Sequence, residues 1–259
     1  MMPANSFSER IKLTTTTKQS NIILAIDPLF GKCDLFRCVL DLIHTLGKYL
    51  CAIKLNFHIL LPLSSEELRK INLAAHDENL QIIADIKLND IPHTNHVAIQ
   101  YLSSMGFDSV IVNPFIGRSG LKTTVDFAHS LNFGVISLIY MSHSGAEEGY
   151  GAFVGNSMNT NRISQFPQFY DVFYENSVYA NVDGFIIGAN RLDIIKKFSS
   201  KDKANIPIYS PGVITQGGEI KAAMDSGSDF LIIGRAIMNS DDPDRELQRI
   251  QKSIKDGRL

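Results

Sequence analysis

The chain has 259 residues, 44% of them apolar and 20% charged, with a formal net charge of −2, a globular composition long enough for one large domain or two small ones. That balance gives no global basic field, which argues against nucleic-acid binding and leaves any anionic ligand to be held by local groups. The longest apolar run, Phe133 to Met141, is far too short to span a bilayer, and the polar N-terminus (Ser6, Ser8, Glu9, Arg10, Lys12) lacks the apolar core of a signal peptide, so neither membrane insertion nor secretion is expected.

The first 20 residues read as an N-terminal extension with room for one short helix, although the Thr14 to Thr17 run is a poor helix former and reads as loop. From there one module recurs: an apolar β-rich run, a polar break, then a helical pattern. The runs are Asn21 to Asp27, Cys51 to Asn56, Gln81 to Lys87, Asp108 to Asn113, Phe133 to Tyr140, Asp183 to Gly188, Ile206 to Ser210 and Asp229 to Gly234. Helices are predicted over Leu35 to Leu46, Ser64 to His76, Thr94 to Met105, Arg191 to Ser199 and Pro243 to Ile254. Ser64 and Asp241 open two of them as caps, and Ser64-Ser65-Glu66-Glu67 has the pattern of a reciprocal capping box. Cys33, Cys38 and Cys51, odd in number and without a CxxC pair, read as small core fillers rather than a disulfide framework. The spacing breaks once, over residues 142–182, where Gly149-Tyr150-Gly151 and Gly155 to Asn161 mark a long insertion: a loop, then a helix near Pro167 to Tyr179.

Strands that are apolar without alternation are buried on both faces and imply a parallel sheet with crossover helices. Eight of them predict an α/β fold, a (β/α)8 TIM barrel, forming a single domain over residues 1–259 with no linker and with the first helix closing the barrel floor. In such barrels the chemistry sits at the C-terminal strand ends. There the sequence places Asp27, Lys54 with Asn56, Asp85 with Lys87 and Asp90, Asn113, Ser142 with His143, Asn190, Gln216 and Arg235.

The stretch Ala84 to Pro92 is the most informative. As i and i+2 of one strand, Asp85 and Lys87 share a face, and Asp90 falls just past the strand end. Opposite unit charges about 4 Å apart attract by roughly 4 kcal/mol at a near-surface dielectric, so an alternating array supports itself where each member is paired. An ion pair capping a strand would explain Asp85 and Lys87 alone, whereas charges at successive strand ends point to a catalytic array. Pro211 to Gly218, with its paired glycines, and Gly234-Arg235 fall at strands seven and eight, where these barrels hold a phosphate. Gln216 and Arg235 would be its side-chain donors. His93 and His96, at i and i+3 with no acidic partner, read as surface residues rather than metal ligands, and His143 as a structural hydrogen-bonder.

Leu24 to Asp27, Ile53-Lys54, Asp85 to Pro92, Met141-Ser142-His143, Ser210 to Val213 with Gln216 to Gly218, and Ile233 to Arg235 together resemble the orotidine 5′-phosphate decarboxylase family in its monofunctional, archaeal-like form. The resemblance runs from about Ile22 to Ser240. It implies a cytoplasmic enzyme, free of cofactor and metal, that converts orotidine 5′-monophosphate to UMP and CO2, the last step of de novo pyrimidine synthesis. Asp85 would sit against the leaving carboxylate, Lys87 would stabilise the carbanion at C6 and protonate it, and Lys54 and Asp90 would hold Lys87. Asp27 and Lys54 would bind ribose hydroxyls, Ser142 the pyrimidine edge, and Gln216, Gly234 and Arg235 the phosphate, with Pro211 packing near the base and the Val213 to Glu219 loop closing over the ligand. Asp90 and Thr94 would reach into the neighbour's site, which implies a homodimer.

The Asp-x-Lys-x-x-Asp core is shared with metal-dependent sugar-phosphate decarboxylases and synthases. Lys54 stands where those relatives place a carboxylate for the metal, and it would repel Mg²⁺. A non-catalytic nucleotide-binding barrel is opposed by the intact Asp85, Lys87 and Asp90 set, and a phosphosugar isomerase by the fixed charge array. The sequence departs from the family pattern at Ser144, where many relatives have Pro, at Asn113, where some have His, and at Ile214, which replaces a small residue.

Overall fold

Eight strands form where the apolar runs lie: β1 (Ile22–Ile26), β2 (Ala52–Asn56), β3 (Gln81–Leu88), β4 (Ser109–Val112), β5 (Gly134–Tyr140), β6 (Gly184–Ile187), β7 (Ile208–Pro211) and β8 (Phe230–Ile233). These come from a computed structural model that describes residues 6–27, 34–155, 166–201, 205–213 and 217–256. Each strand pairs in parallel with the next and β8 returns to β1, closing the sheet as a TIM barrel in sequence order. The alternation that apolar composition hides is present in the fold. Ile22, Leu24 and Ile26 pack against the outer helices, while Ile23 and Ala25 join Ile83, Ile111, Ile136, Leu138, Ile186 and Ile232 inside the barrel. Continuing the inward series by two residues along β1, β2 and β3 leads to Asp27, Lys54 and Asp85.

The helix Leu35–Leu46 has its expected bounds, and Ser65–Asp77 begins after a complete capping box between Ser64 and Glu67. Pro92–Ser104, Leu192–Lys201 and Pro243–Asp256 lie within a few residues of their expected spans, and Phe169–Ala180 is the helix expected late in the 142–182 insertion. The cap of the last helix is Asp242 rather than Asp241, because only the residue immediately before Pro243 reaches back to the Arg245 N–H, 3.1 Å away. Residues 156–165 of the insertion lie outside the described residues; on either side, Phe153 and Gln168 form an antiparallel bridge.

The barrel floor is closed by the helix Phe7–Lys18, which runs straight through the threonines expected to be loop. Two effects outweigh their low propensity. Ser6 and Glu9 form a capping box, and Phe7 and Ile11 bury completely in the barrel interior. The hydroxyls of Thr14, Thr15 and Thr16 satisfy themselves on carbonyls four residues back. Phe7 fits because position 134 is glycine: a Cβ there would lie 2.4 Å from its ring. Polar ties fix the plug at its rim. Arg10 pairs with Asp108 at 3.1 Å and Ser8 donates to Asp183 at 2.9 Å. Each aspartate also accepts a strand N–H, from Ile82 and Val135, and a histidine ring, His76 at 2.9 Å and His129 at 2.8 Å.

The cysteines depart from their expected role. Cys51 is a free, buried core filler whose thiol is pushed up to about 12 by burial, but Cys38, on the partly exposed flank of its helix, is disulfide-bonded. Cys33 lies outside the described residues.

Candidate active site

At the C-terminal mouth, Asp85 stands between two ammonium groups. Its Oδ2 accepts from Lys54 Nζ at 2.6 Å and its Oδ1 from Lys87 Nζ at 2.8 Å. Asp85 and Lys54 are buried, at 7% and 5% exposure, while Lys87 is open to the cleft. Burial works against a charge on Asp85, yet the two ammonium groups outweigh it and hold the carboxyl below the usual carboxylate range.

The side chains of Asp85 and Lys87 meet, though not by the simple alternation expected of a strand. Between Ala84↔Val110 and Leu88↔Val112, β3 advances four residues while β4 advances two, so the Asp85–Lys87 segment bulges out of the ladder. Lys87 takes a left-handed backbone, φ +48°, which for a residue with a Cβ costs on the order of 1–3 kcal/mol. The bulge re-aims the lysine into the mouth, and such local strain is typical of functional positions.

The array continues sideways. Lys54 Nζ also donates to Asn56 Oδ1, and Asn56 Nδ2 donates to Asp27 Oδ1, with His58 Nε2 3.6 Å from the same oxygen. The sequence puts Asn56 at a strand end but gives it no role; that it joins Lys54 to Asp27 is legible only in the register of β1 against β2, where Ala25 faces Lys54.

Two adjoining cavities meet at Lys54, Ser142, Pro211 and Ile232. The smaller, about 190 Å³, holds Asp85, Lys87 and His143 against apolar walls of Ile111, Leu138, Met141 and Ile186. The larger, about 620 Å³, contains Asp27, Gly212, Gly234 and Arg235. Together they form a cleft that is charged and apolar at one end and open, glycine-lined and cationic at the other. Ser142 wedges between the ends of β6 and β7: a Cβ on Gly188 would fall 2.8 Å from its Cα, and Asn190 Nδ2 donates to its carbonyl at 3.1 Å. Asn190 therefore shapes the site through Ser142. Its neighbour Arg191 ties the same turn to Glu147 at 2.7 Å.

Other candidates are not brought in. Asp90 is exposed, its Oδ1 accepting the Ile91 N–H at 2.7 Å, and the ion pairs of Lys54 and Lys87 are both with Asp85. Thr94 is likewise exposed at the start of the helix Pro92–Ser104. Asn113 caps the Phe115 N–H at 3.1 Å and lines neither cavity. His96 is a packing residue, stacked on Phe127 at 4.2 Å, and its ring nitrogen meets the Thr123 carbonyl. His143 is not the structural hydrogen-bonder expected; among the described residues its ring makes no hydrogen bond and forms part of the small cavity wall. Gln216, with Ile214 and the tip of the Val213 to Glu219 loop, lies outside the described residues. No group of three or more His, Cys, Asp or Glu among the described residues is arranged to hold a metal ion.

Residues 20–250 match the sequence family described as Orotidine 5'-phosphate decarboxylase / HUMPS family. The orotidine 5'-phosphate decarboxylase of Thermoplasma volcanium is 30% identical over 215 residues, spanning 83% of this chain and 86% of the relative. Among solved structures, orotidine 5'-phosphate decarboxylase from Pyrococcus horikoshii superposes with a TM-score of 0.71 at 28% identity, covering 90% of this chain and 99% of that one. The Methanocaldococcus jannaschii enzyme, complexed with the inhibitor BMP, gives a TM-score of 0.70 at 27% identity over 90% and 98% of the two chains.

Proposed function

The chain belongs to the orotidine 5′-phosphate decarboxylase / HUMPS family, and we infer from that membership and from the charges in its mouth that it decarboxylates orotidine 5′-monophosphate to UMP and CO2, closing de novo pyrimidine synthesis. The observation that carries this choice within the family is Lys54, an ammonium 2.6 Å from Asp85. A Mg²⁺ ion would need hard anionic oxygens there and would meet a cation instead. The chemistry runs on side-chain charge alone.

In this reading the phosphate lies in the larger cavity on Arg235, Gly234 and Gln216. Asp27 and Lys54 hold the ribose hydroxyls. The pyrimidine enters the smaller cavity with Ser142 on its edge and Pro211 against it, bringing the carboxylate to Asp85 and C6 to Lys87. The C6–carboxylate bond breaks, its electron pair remains on C6, CO2 departs, and the Lys87 proton passes to C6; water then reprotonates the amine. Lys87 stabilises the developing carbanion from a position fixed before the reaction begins, which is where electrostatic catalysis gains most. Asp85, kept charged by its two lysines, adds repulsion against the substrate carboxylate that is relieved as CO2 leaves.

Asp90 and Thr94 act in the partner's site, making the working unit a homodimer. Asp90 leaves its own chain's array unjoined, and the segments after β2 and β3 expose Phe57, Leu61, Ile91 and Tyr101, each more than half accessible. Exposed apolar side chains on the segments that leave the mouth are what a subunit interface there would cover. No described helix is long and apolar enough to cross a membrane, and the cytoplasm, where the free nucleotide is made, is the compartment this reading assigns. The test is the loss of orotidine monophosphate absorbance with purified, EDTA-treated protein. Full activity supports the assignment; EDTA-sensitive turnover, or UMP binding without CO2 release, overturns it.

A further inference from the structure

Asn56 occupies the N-cap of the short helix Phe57–Leu60, where an Asn side chain ordinarily accepts a backbone N–H of the first turn; here it makes no capping bond. Its amide is spent instead between two side chains of opposite charge, the oxygen on Lys54 and the nitrogen on Asp27. That orientation is forced. An ammonium has only donors and a carboxylate only acceptors, so a neutral link between them must offer one of each on opposite sides. The result is a continuous chain, Lys87, Asp85, Lys54, Asn56, Asp27, that begins in the smaller cavity and ends in the larger one.

We propose that Asn56 is a positioning residue that couples the ribose-binding carboxylate to the charge array. The inference rests on the reading of Asp27 as a ribose ligand. As a spacer one amide long, Asn56 keeps Asp27 from collapsing onto Lys54. Asp27 thus keeps a face toward the cleft, and Lys54 keeps its bond to the buried Asp85. Two of the three Lys54 N–H donors are engaged in this way, leaving one for the cleft at the junction of the two cavities. Ribose hydroxyls bound at Asp27 would then bear on the alignment of Lys54, and through Asp85 on Lys87.

The experiment compares kcat and KM for orotidine 5′-monophosphate with those for its 2′-deoxy and 3′-deoxy analogues, in the wild type and in Asn56→Ala, Asn56→Asp and Asp27→Ala. Loss of a hydrogen bond to a charged group predicts a drop in kcat/KM of about ten- to a hundredfold for Asn56→Ala with the natural substrate. The decisive reading is the ratio between natural and deoxy substrates, which should shrink about tenfold or more in both Asn56 variants. Asn56→Asp keeps the size of the side chain but cannot donate to Asp27, so it reports even if the alanine variant folds poorly. If both Asn56 variants slow all substrates by one common factor while Asp27→Ala erases the ratio, the coupling is wrong and the ribose role of Asp27 stands. If Asp27→Ala leaves the ratio at its wild-type value, the ribose role falls and the coupling falls with it.

Discussion

Replacing Lys54 with Met removes one of the two cations beside Asp85 while keeping a side chain of similar volume. At 2.6 Å and an effective dielectric of about 20, the attraction lost is about 6 kcal/mol. Against it, a 5% exposed ammonium no longer has to be stripped of water, a saving of several kcal/mol. Removing one partner of a buried pair typically costs about 3–5 kcal/mol, and because Lys87 still faces Asp85 at 2.8 Å the low end, about 3 kcal/mol, is expected. In a chain of this size each kcal/mol moves Tm by about 2–4 °C, so thermal unfolding at pH 7 should fall by roughly 6–12 °C. The effect should depend on pH with a definite sign. The native Asp85 carboxyl is held below its ordinary value, so its stabilisation is present above the unfolded carboxylate value and lost as pH falls through the native one. The gap between wild type and variant should therefore close in acid, below about pH 4. Calorimetry of both proteins from pH 3 to pH 8 measures it. A Lys54→Met protein as stable as wild type at pH 7, or more stable, would refute the reasoning and mean that the array is held together at a net cost to folding.

Lys87→Ala should lose nearly all turnover while UMP binding, measured by calorimetry, survives, because Lys87 acts on C6 and not on the phosphate; an active variant free of host enzyme would remove Lys87 from the mechanism. Lys87→Ala and Asp90→Ala homodimers should each be nearly inactive, yet refolding them together in equal amounts should restore roughly a quarter of wild-type activity, because half the dimers then carry one intact site. Subunit exchange verified by mass spectrometry without return of activity would assign Asp90 to its own subunit. At the floor, the hydrogen bonds that His76 and His129 donate to Asp108 and Asp183 raise both rings above the ordinary histidine value, so their contribution is complete below about pH 6.5 and lost as pH rises through the native values. Urea midpoints of the wild type should fall more steeply between pH 6.5 and 8.5 than those of His76→Gln/His129→Gln, and parallel profiles would exclude the effect.

The barrel is legible because each strand is a run of apolar residues buried on both faces, a pattern that sheet closure does not alter. Asp27, Lys54 and Asp85 are legible for the same reason, as charges that end such runs. What escapes the sequence depends on register or on contacts distant along the chain. The left-handed turn at Lys87 follows from how β3 slips against β4, and nothing in Asp-Ile-Lys announces it. Asn56 looks like one more polar strand end until the neighbouring strand puts Asp27 beside it. The threonines of the first helix mislead because local propensity takes no account of Phe7 and Ile11, whose burial depends on residues more than a hundred positions away.

The floor plug carries a consequence for how the protein is made. Its helix leaves the ribosome ahead of every barrel strand and of its own anchors: Asp108 follows Arg10 by 98 residues and Asp183 follows Ser8 by 175. At usual elongation rates Asp183 emerges roughly ten to thirty-five seconds after Ser8. The ring it plugs cannot close until Leu231 lies beside Ile22. Through that interval Phe7 and Ile11 are an unhoused apolar surface on a nascent chain, the kind of surface that general chaperones bind. An element synthesised before every strand of the barrel is thus seated only after the last of them.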